Sequence, residues 1–286
     1  MELHEIDVKT VPSLTLPWQE FRFMPVGDEQ RGAQGFDRAK FRKHIRWGVD
    51  QNVYFGGMGD AIDLGSPSTR QKISAAGLYD VAEDALDYFA EKHLDEALED
   101  MEPSRGRWIA RVKGHHLWKF KSGKYKGYDT EDVLADYLGC PVTDELGAII
   151  SQVTLKTPDG KRSQKVQIYQ WHGGGMASSL AGVLNKVKAI GDYWTTADVI
   201  CVGHYPFKLG IPLDFPVPFF GKHSMLRDRR RIYCSTGGFC RGYQVGGRAS
   251  YAEKGGMIGK NIGGVMVKIR PVHEEWGDRL DMNVEA

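Results

Sequence analysis

Five apolar runs in this chain each end in a short polar motif, and that repetition limits the possible folds. The runs are Phe21 to Val26, Val53 to Met58, Trp108 to Val112, Val166 to Tyr169 and Val199 to Val202. The motifs after them are Gly27-Asp28-Glu29-Gln30, Gly59-Asp60-Ala61-Ile62-Asp63, Gly114-His115-His116, Trp171-His172-Gly173-Gly174 and Gly203-His204-Tyr205-Pro206. Short apolar runs bounded by glycine read as buried strands. In an α/β sheet, strand ends on one edge are where ligands collect. Asp and His brought from five strand ends to one edge make the donor set of a divalent metal site, suited to Mn, Fe, Zn, Co or Ni. Taken singly, Asp28 and Asp60 could equally cap a turn, and His115-His116 could be surface residues. The set as a whole points to a site.

The rest of the pattern predicts alternating strands and helices, then hairpins. Helices are expected over 36–49, over 69–102 with Pro103 as the stop, over 130–138 with Thr130 as the cap, and over 178–190. The apolar stripe of the second helix is Leu78, Val81, Ala85, Leu86, Phe89, Leu94 and Leu98. The run 146–155, a Pro158-Asp159-Gly160 turn and Val166 to Tyr169 read as a hairpin. Later, short strands are expected at 231–235 and 264–270, separated by glycine-rich turns. Pro12 and Pro17 oppose helix in the first twenty residues, which read as an extended lead-in. The expected class is α/β, with two sheets packed face to face and helices outside.

The 286 residues are 41% hydrophobic, enough for a sizeable core, and their net charge of +1 gives no global pull toward nucleic acid or membrane. Charge is local instead. Arg105, Arg107, Arg111, Lys113, Lys119, Lys121, Lys124 and Lys126 alternate with Trp108, Trp118, Phe120, Tyr125 and Tyr128; Arg227, Arg229, Arg230 and Arg231 form a second cluster. Cations among aromatics suit a phosphate-rich or single-stranded nucleic-acid partner, and a solvated loop is the equal alternative. The four cysteines, at 140, 201, 234 and 240, are too few and scattered for a disulfide framework or a Cys-based zinc site. Without a signal-like start or an apolar run near the ~20 residues needed to span a bilayer, a cytoplasmic protein with no membrane partner is expected.

In order and context, the five motifs resemble those of the calcineurin-like metallophosphoesterases. That family's pattern is Asp-x-His, Gly-Asp-x-x-Asp, Gly-Asn-His-(Asp/Glu), a lone His and Gly-His-x-His. The resemblance runs from about Phe21 to Pro271. The stretches Gly57-Met58-Gly59-Asp60-Ala61-Ile62-Asp63-Leu64-Gly65-Ser66-Pro67-Ser68 and Thr236-Gly237-Gly238-Phe239 are similar to phage and prophage members. It implies a four-layer α/β/β/α sandwich over 21–271, between an N-terminal extension (1–20) and a C-terminal tail (272–286). It also implies a metal-dependent phosphoester hydrolase, in the bacterial host cytoplasm if phage-encoded.

Carried over residue by residue, the first metal position of the family reads Asp28, Gln30, Asp60 and Pro206. Proline has no side-chain donor, and a Gln oxygen replaces imidazole poorly. The second position reads Asp60, His115, His172 and His204, with His115 where the family has Asn. One firmly held ion is therefore expected, with Mn, Zn, Fe, Ni or Co favoured over Mg. A second, weak ion is allowed through Asp28, Gln30 and water. His116 takes the family's catalytic position. Asp63 is expected to bind backbone or a neighbouring side chain. Arg31 and Lys113 flank the motifs as candidates for phosphate contact. The expected partner is a phosphoester, with nucleic acid or nucleotide allowed and a homo-oligomer allowed. The basic aromatic segment around His116 favours a phosphodiesterase or nuclease over a phosphatase. A non-catalytic metal- or nucleic-acid-binding phage protein is the rival from another class, signalled by Gln30 and Pro206.

Overall fold

The computed structural model describes residues 11–33, 35–64, 80–143, 147–175, 177, 179–220, 224–242, 262–275 and 277–285. Its strands are β1 (Ser13–Pro17), β2 (Phe21–Val26), β3 (Val53–Gly57), β4 (Trp108–Arg111), β5 (Ala148–Lys156), β6 (Ser163–Trp171), β7 (Val199–Val202), β8 (Lys208–Phe220), β9 (Ser224–Thr236), β10 (Met266–Glu274) and β11 (Gly277–Glu285). The helices are α1 (Arg38–Asp50), α2 (Asp80–Met101), α3 (Thr130–Leu138) and α4 (Leu180–Tyr193). One sheet has the order β1-β5-β6-β7-β9-β8 and the other β11-β10-β2-β3-β4.

Strand alternation sorts the side chains into layers. In β2, Phe21 and Phe23 join Val199 and Cys201 of β7 and Ile232 and Cys234 of β9 between the two sheets. The intervening Met24 and Val26 face the other way and pack with Phe41 and Ile45 of α1, Leu94 of α2 and Leu134 of α3. On the far side, Ile200, Val202 and Tyr233 pack against Val183 and Val187 of α4. The layers are helices, sheet, sheet, helix, the expected α/β sandwich. Strands buried on both faces read as continuous apolar runs, which is why β2, β3 and β7 were legible.

The order of strands brings the motifs together. β2, β3 and β4 are parallel neighbours in one sheet, and β6, β7 and β9 are parallel neighbours in the other. All five motifs follow the C-terminal ends of these strands. Backbone bonds stitch the rim: Asp28 N donates to Gly59 O at 2.9 Å, and Gly203 N to Trp171 O at 3.1 Å.

Several local expectations need correction. Asp129, not Thr130, caps α3, accepting from Glu131 N and Asp132 N while Asp132 reaches back to Asp129 N. The Thr130 hydroxyl instead accepts from Trp118 N. On α2, Ala90, Leu94, Ala97 and Met101 are buried, whereas Ala85 and Phe89 face solvent; Leu78 and the side chain of Val81 lie outside the described residues. The short strand expected at 231–235 is the end of a thirteen-residue strand paired along its length with β8. Pro212, Pro216 and Pro218 hid β8, yet it is an edge strand, where prolines on one alternating set need no partner. Residues of the expected lead-in form β1, which pairs with β5. Residues 277–285 form β11, paired with β10. Most of the glycine-rich stretch 237–264 lies outside the described residues.

Candidate metal centre

Four motif residues converge. One potential ligand atom each from Asp60, His115, His172 and His204 lies within 4.8 Å of all the others. The imidazole centroids are 4.7 Å apart for His115 and His204, 4.8 Å for His115 and His172, and 5.3 Å for His172 and His204. Asp60 and His172 are almost fully buried. Asp60 comes from the β3 loop, His115 from the β4 loop, His172 from the β6 loop and His204 from the β7 loop, so each sheet contributes two ligands.

Outer contacts fix three of the four donors. His172 Nδ1 lies 2.6 Å from Met58 O, which leaves Nε2 for the centre. His204 Nε2 lies 3.1 Å from Gly175 O, which leaves Nδ1. Asp60 Oδ1 accepts from His116 N at 2.7 Å, leaving Oδ2. Asp60 Oδ2 and His172 Nε2 face each other at 3.1 Å, and neither buried atom makes a well-formed hydrogen bond. Buried polar atoms are rarely left so, and a cation between them would satisfy both. Asp60 and His204 hold φ of 57° and 63°, left-handed values that non-glycine residues seldom adopt. Gly114 passes so close that a Cβ there would sit 2.1 Å from Asp60 Oδ1.

The electrostatics fit the same reading. Burial would lower the His172 pKa, but the Asp60 carboxylate outweighs it, with help from Asp28, and pushes it up to about 9. Burial would raise the Asp60 pKa, but the close contact and charge of His172, with His116, hold it down at about 2. Burial and the charges of His172 and His115 push His204 down to about 4. Without metal, a proton on His172 stands where an ion would compensate Asp60. Three imidazoles and one carboxylate whose donor atoms lie within 4.8 Å of one another are a fitting donor set for a borderline divalent ion.

The other predicted residues take different places. Asp28 is buried, and its Oδ2 accepts from His204 N at 2.8 Å; its carboxylate is outside the quartet. Burial lifts its pKa to about 7. Gln30 has φ of 50° and donates its backbone N–H to Asp60 O at 3.0 Å. His116 stands beside the quartet: its Nδ1 is 2.9 Å from Asp63 Oδ1, and its Nε2 is 3.8 Å from Asp60 Oδ2. The second Asp of Gly-Asp-x-x-Asp thus orients His116. Nothing in the sequence signalled the Met58 carbonyl.

Arg31 and Lys113 are corrections. Arg31 is buried, 2.7 Å from Asp100 Oδ2, and stacked at 4.7 Å on both Phe36 and Phe41. Lys113 is paired with Asp129 and Asp132, each at 2.6 Å, at the start of α3. Both cations compensate carboxylates of the fold. The basic aromatic segment is likewise engaged. Trp118 Nε1 and the backbone of Lys121 and Ser122 donate to Asp87. Lys124 and Tyr125 bond Asp95, and Lys124 N donates to Glu91. In the second cluster, Arg229 pairs with Asp198 and Arg230 with Asp214. Asp87, Glu91 and Asp95 recur every four residues on α2, so this acidic stripe was readable in the sequence.

No protein-family profile matches the chain, and no curated protein matches it. Among solved structures it is similar to the calcineurin-like phosphoesterase YfkN from Bacillus subtilis, with 12% identity, a TM-score of 0.37 and coverage of 94% of this chain and 91% of that one. A likeness this distant does not bear on activity. No helix among the described residues is long and apolar enough to cross a membrane.

Proposed function

We propose that this chain is a metal-dependent phosphoester hydrolase built around one firmly held divalent ion, and that its substrates are phosphodiesters. One observation carries the reading: the Asp60, His115, His172 and His204 quartet, with buried Asp60 Oδ2 and His172 Nε2 facing each other at its centre. Asp60, His115, His172 and His204 would hold the ion. When bound, such an ion neutralises phosphate charge and lowers the pKa of water toward ~7.

The chain's own residues supply the remainder. His116 stands beside the quartet and is partly accessible. With Asp63 holding Nδ1–H, Nε2 is the ring atom left to give a proton to a departing alkoxide. Asp63 compensates the imidazolium that precedes this transfer, and Asp28 fixes His204 through the backbone. The preference for diesters rests on charge. A monoester dianion needs more positive charge around it than a diester monoanion, and Arg31 and Lys113 are both spent on carboxylates. A nuclease reading loses its first support, because much of the basic aromatic segment is tied to α2. A phage-type origin rests on the motif resemblance alone.

The test is hydrolysis of bis-p-nitrophenyl phosphate and p-nitrophenyl phosphate with Mn, Zn, Fe, Ni, Co or Mg added. Metal-dependent turnover of the diester, lost in His172→Ala and His116→Ala, supports the proposal. Faster turnover of the monoester would move the reading to a phosphatase. Retained metal binding with no turnover of either would move it to a binding protein.

A further inference from the structure

An open surface cavity of about 420 Å³ is lined by Gly32, Asp63, Leu64, Leu86, Phe89 and His93, and shares Asp63 with His116. Two of its walls are the loops that carry the metal motifs. Gly32 follows Asp28 and Gln30 on the β2 loop, and Asp63 and Leu64 follow Asp60 on the β3 loop. The third wall is about two turns of α2, from Leu86 to His93. Asp63 is shared: its backbone and side chain border the cavity while its Oδ1 holds His116 Nδ1 at 2.9 Å. The cavity is thus one side chain removed from the proposed proton donor.

Its chemistry is mixed and specific. Leu64 and Leu86 supply apolar surface, and Phe89 supplies a ring that is 53% exposed. Phe89 breaks the pattern of α2, whose other apolar residues at Ala90, Leu94 and Ala97 are turned into the core. Its ring contacts Tyr88 at 6.0 Å, and Tyr88 is itself 66% exposed. Two adjacent exposed aromatics on an otherwise charged helix are costly unless something stacks on them. His93, half-buried and with its pKa lowered by that burial, offers a polar edge on the same side. Gly32 holds φ of 98°, and a Cβ there would lie 2.4 Å from Asp63 O, so only glycine lets the two loops close this wall. The volume falls in the range of ordinary small-molecule sites.

We infer that this cavity is the subsite for the organic part of the phosphoester, and that it takes a planar aromatic group of nucleobase size, stacked on Phe89. The inference rests on the phosphoester reading, because the metal quartet is what would anchor the phosphate. A polar heterocycle fits better than a plain hydrocarbon, since His93 presents a polar edge beside the apolar faces.

The methyl esters of adenosine 5′-phosphate and ribose 5-phosphate, both diesters, test this, because they share the phosphate and sugar and differ only in the base. Calorimetry on the metal-loaded full chain should show the adenosine compound binding roughly tenfold or more tightly, the worth of one base–aromatic stack. Phe89→Ala should erase that preference and leave the ribose compound unchanged, whereas Phe89→Trp should keep it. Phe89 is exposed and outside the catalytic group, so both variants should fold. Equal affinity of the wild type for the two ligands, or a preference that survives Phe89→Ala, overturns the subsite and leaves the metal reading standing. Binding of neither ligand overturns the phosphate anchor and the subsite with it.

Discussion

Two buried clusters of charged groups sit on the same strand-end loops and behave in opposite ways. Behind the rim, Arg111 is bound through Nε and Nη2 to Glu131 Oε2 at 2.9 and 2.7 Å, and Arg31 is bound to Asp100. Each cation there has its anion, and burial lifts the nearby Glu29 to about 7, against the opposing pull of Arg111. At the rim, one carboxylate meets three imidazoles, with Asp60 Oδ2 and His172 Nε2 facing each other at 3.1 Å. The rear cluster pairs each arginine with a carboxylate and serves the fold, although Glu29 Oε1 and Oε2, Arg31 Nε and Nη2 and Arg111 Nη1 there also lack hydrogen-bond partners. The front cluster differs in geometry: four donor atoms converge within 4.8 Å of one another, as a cation would need. Neither burial nor unpartnered atoms by themselves mark a site; converging metal-type donors do.

The two clusters also touch. Glu131 Oε1 accepts from Ala61 N at 3.3 Å, next to the strained Asp60. The rear pair therefore supports the turn that presents a front ligand.

The largest expected effect comes from removing a front ligand. His172→Ala or Asp60→Asn should cut turnover by more than ~10³, since the ion that activates water is lost. Metal content after desalting should fall in parallel. Unchanged metal content in both variants would break the contrast between the clusters.

His116→Ala should lower kcat by ~10²–10⁴ while metal content stays at the wild-type level. A fall in metal content would make His116 a ligand and not a proton donor.

Arg111→Met should cost about 3–5 kcal/mol in urea unfolding, because it strands Glu131 as an uncompensated buried charge. The double change Arg111→Met with Glu131→Leu should recover much of that loss. If the single change affected only metal affinity, the rear cluster would belong to the site.

Metal affinity should climb about tenfold per pH unit and level off near pH 9. The ion must displace the proton that His172 keeps up to about 9 in the metal-free chain. Calorimetry in buffers of different ionisation enthalpy should detect one proton released per ion at pH 7. No release would mean that His172 is already neutral.

The smallest effect lies in α1. Burial, with Lys208 and Lys40, pushes His44 down to about 4 from 6.5. Folding favours its neutral form, so that stability is fully present above pH 6.5. It is lost as pH falls from 6.5 through about 4, by roughly 1–3 kcal/mol. His44→Gln should flatten this part of the stability profile.

The strands that run through the middle of a sheet were legible because burial on both faces leaves an unbroken apolar run. β8 was not, since its prolines argue against a strand unless one knows that it lies at an edge. The quartet residues were readable as motifs because each ligand sits within a few residues of a strand end. Arg31 and Lys113 were misread for a related reason. Sequence places them beside the site, but side-chain direction depends on Asp100, Asp129 and Asp132, which reach them only through tertiary packing.

By itself the sequence determined which residue types stand at the strand ends and which runs can be buried. Those properties belong to single residues and their neighbours. Tertiary structure decided which side chains turn inward, which cations are already neutralised, and that Phe89 and His93 border a cavity that shares Asp63 with His116. Those outcomes depend on contacts between residues far apart in the chain, such as Asp60 with His172 and Asp63 with His116. Spacing along one strand or helix carries no record of them.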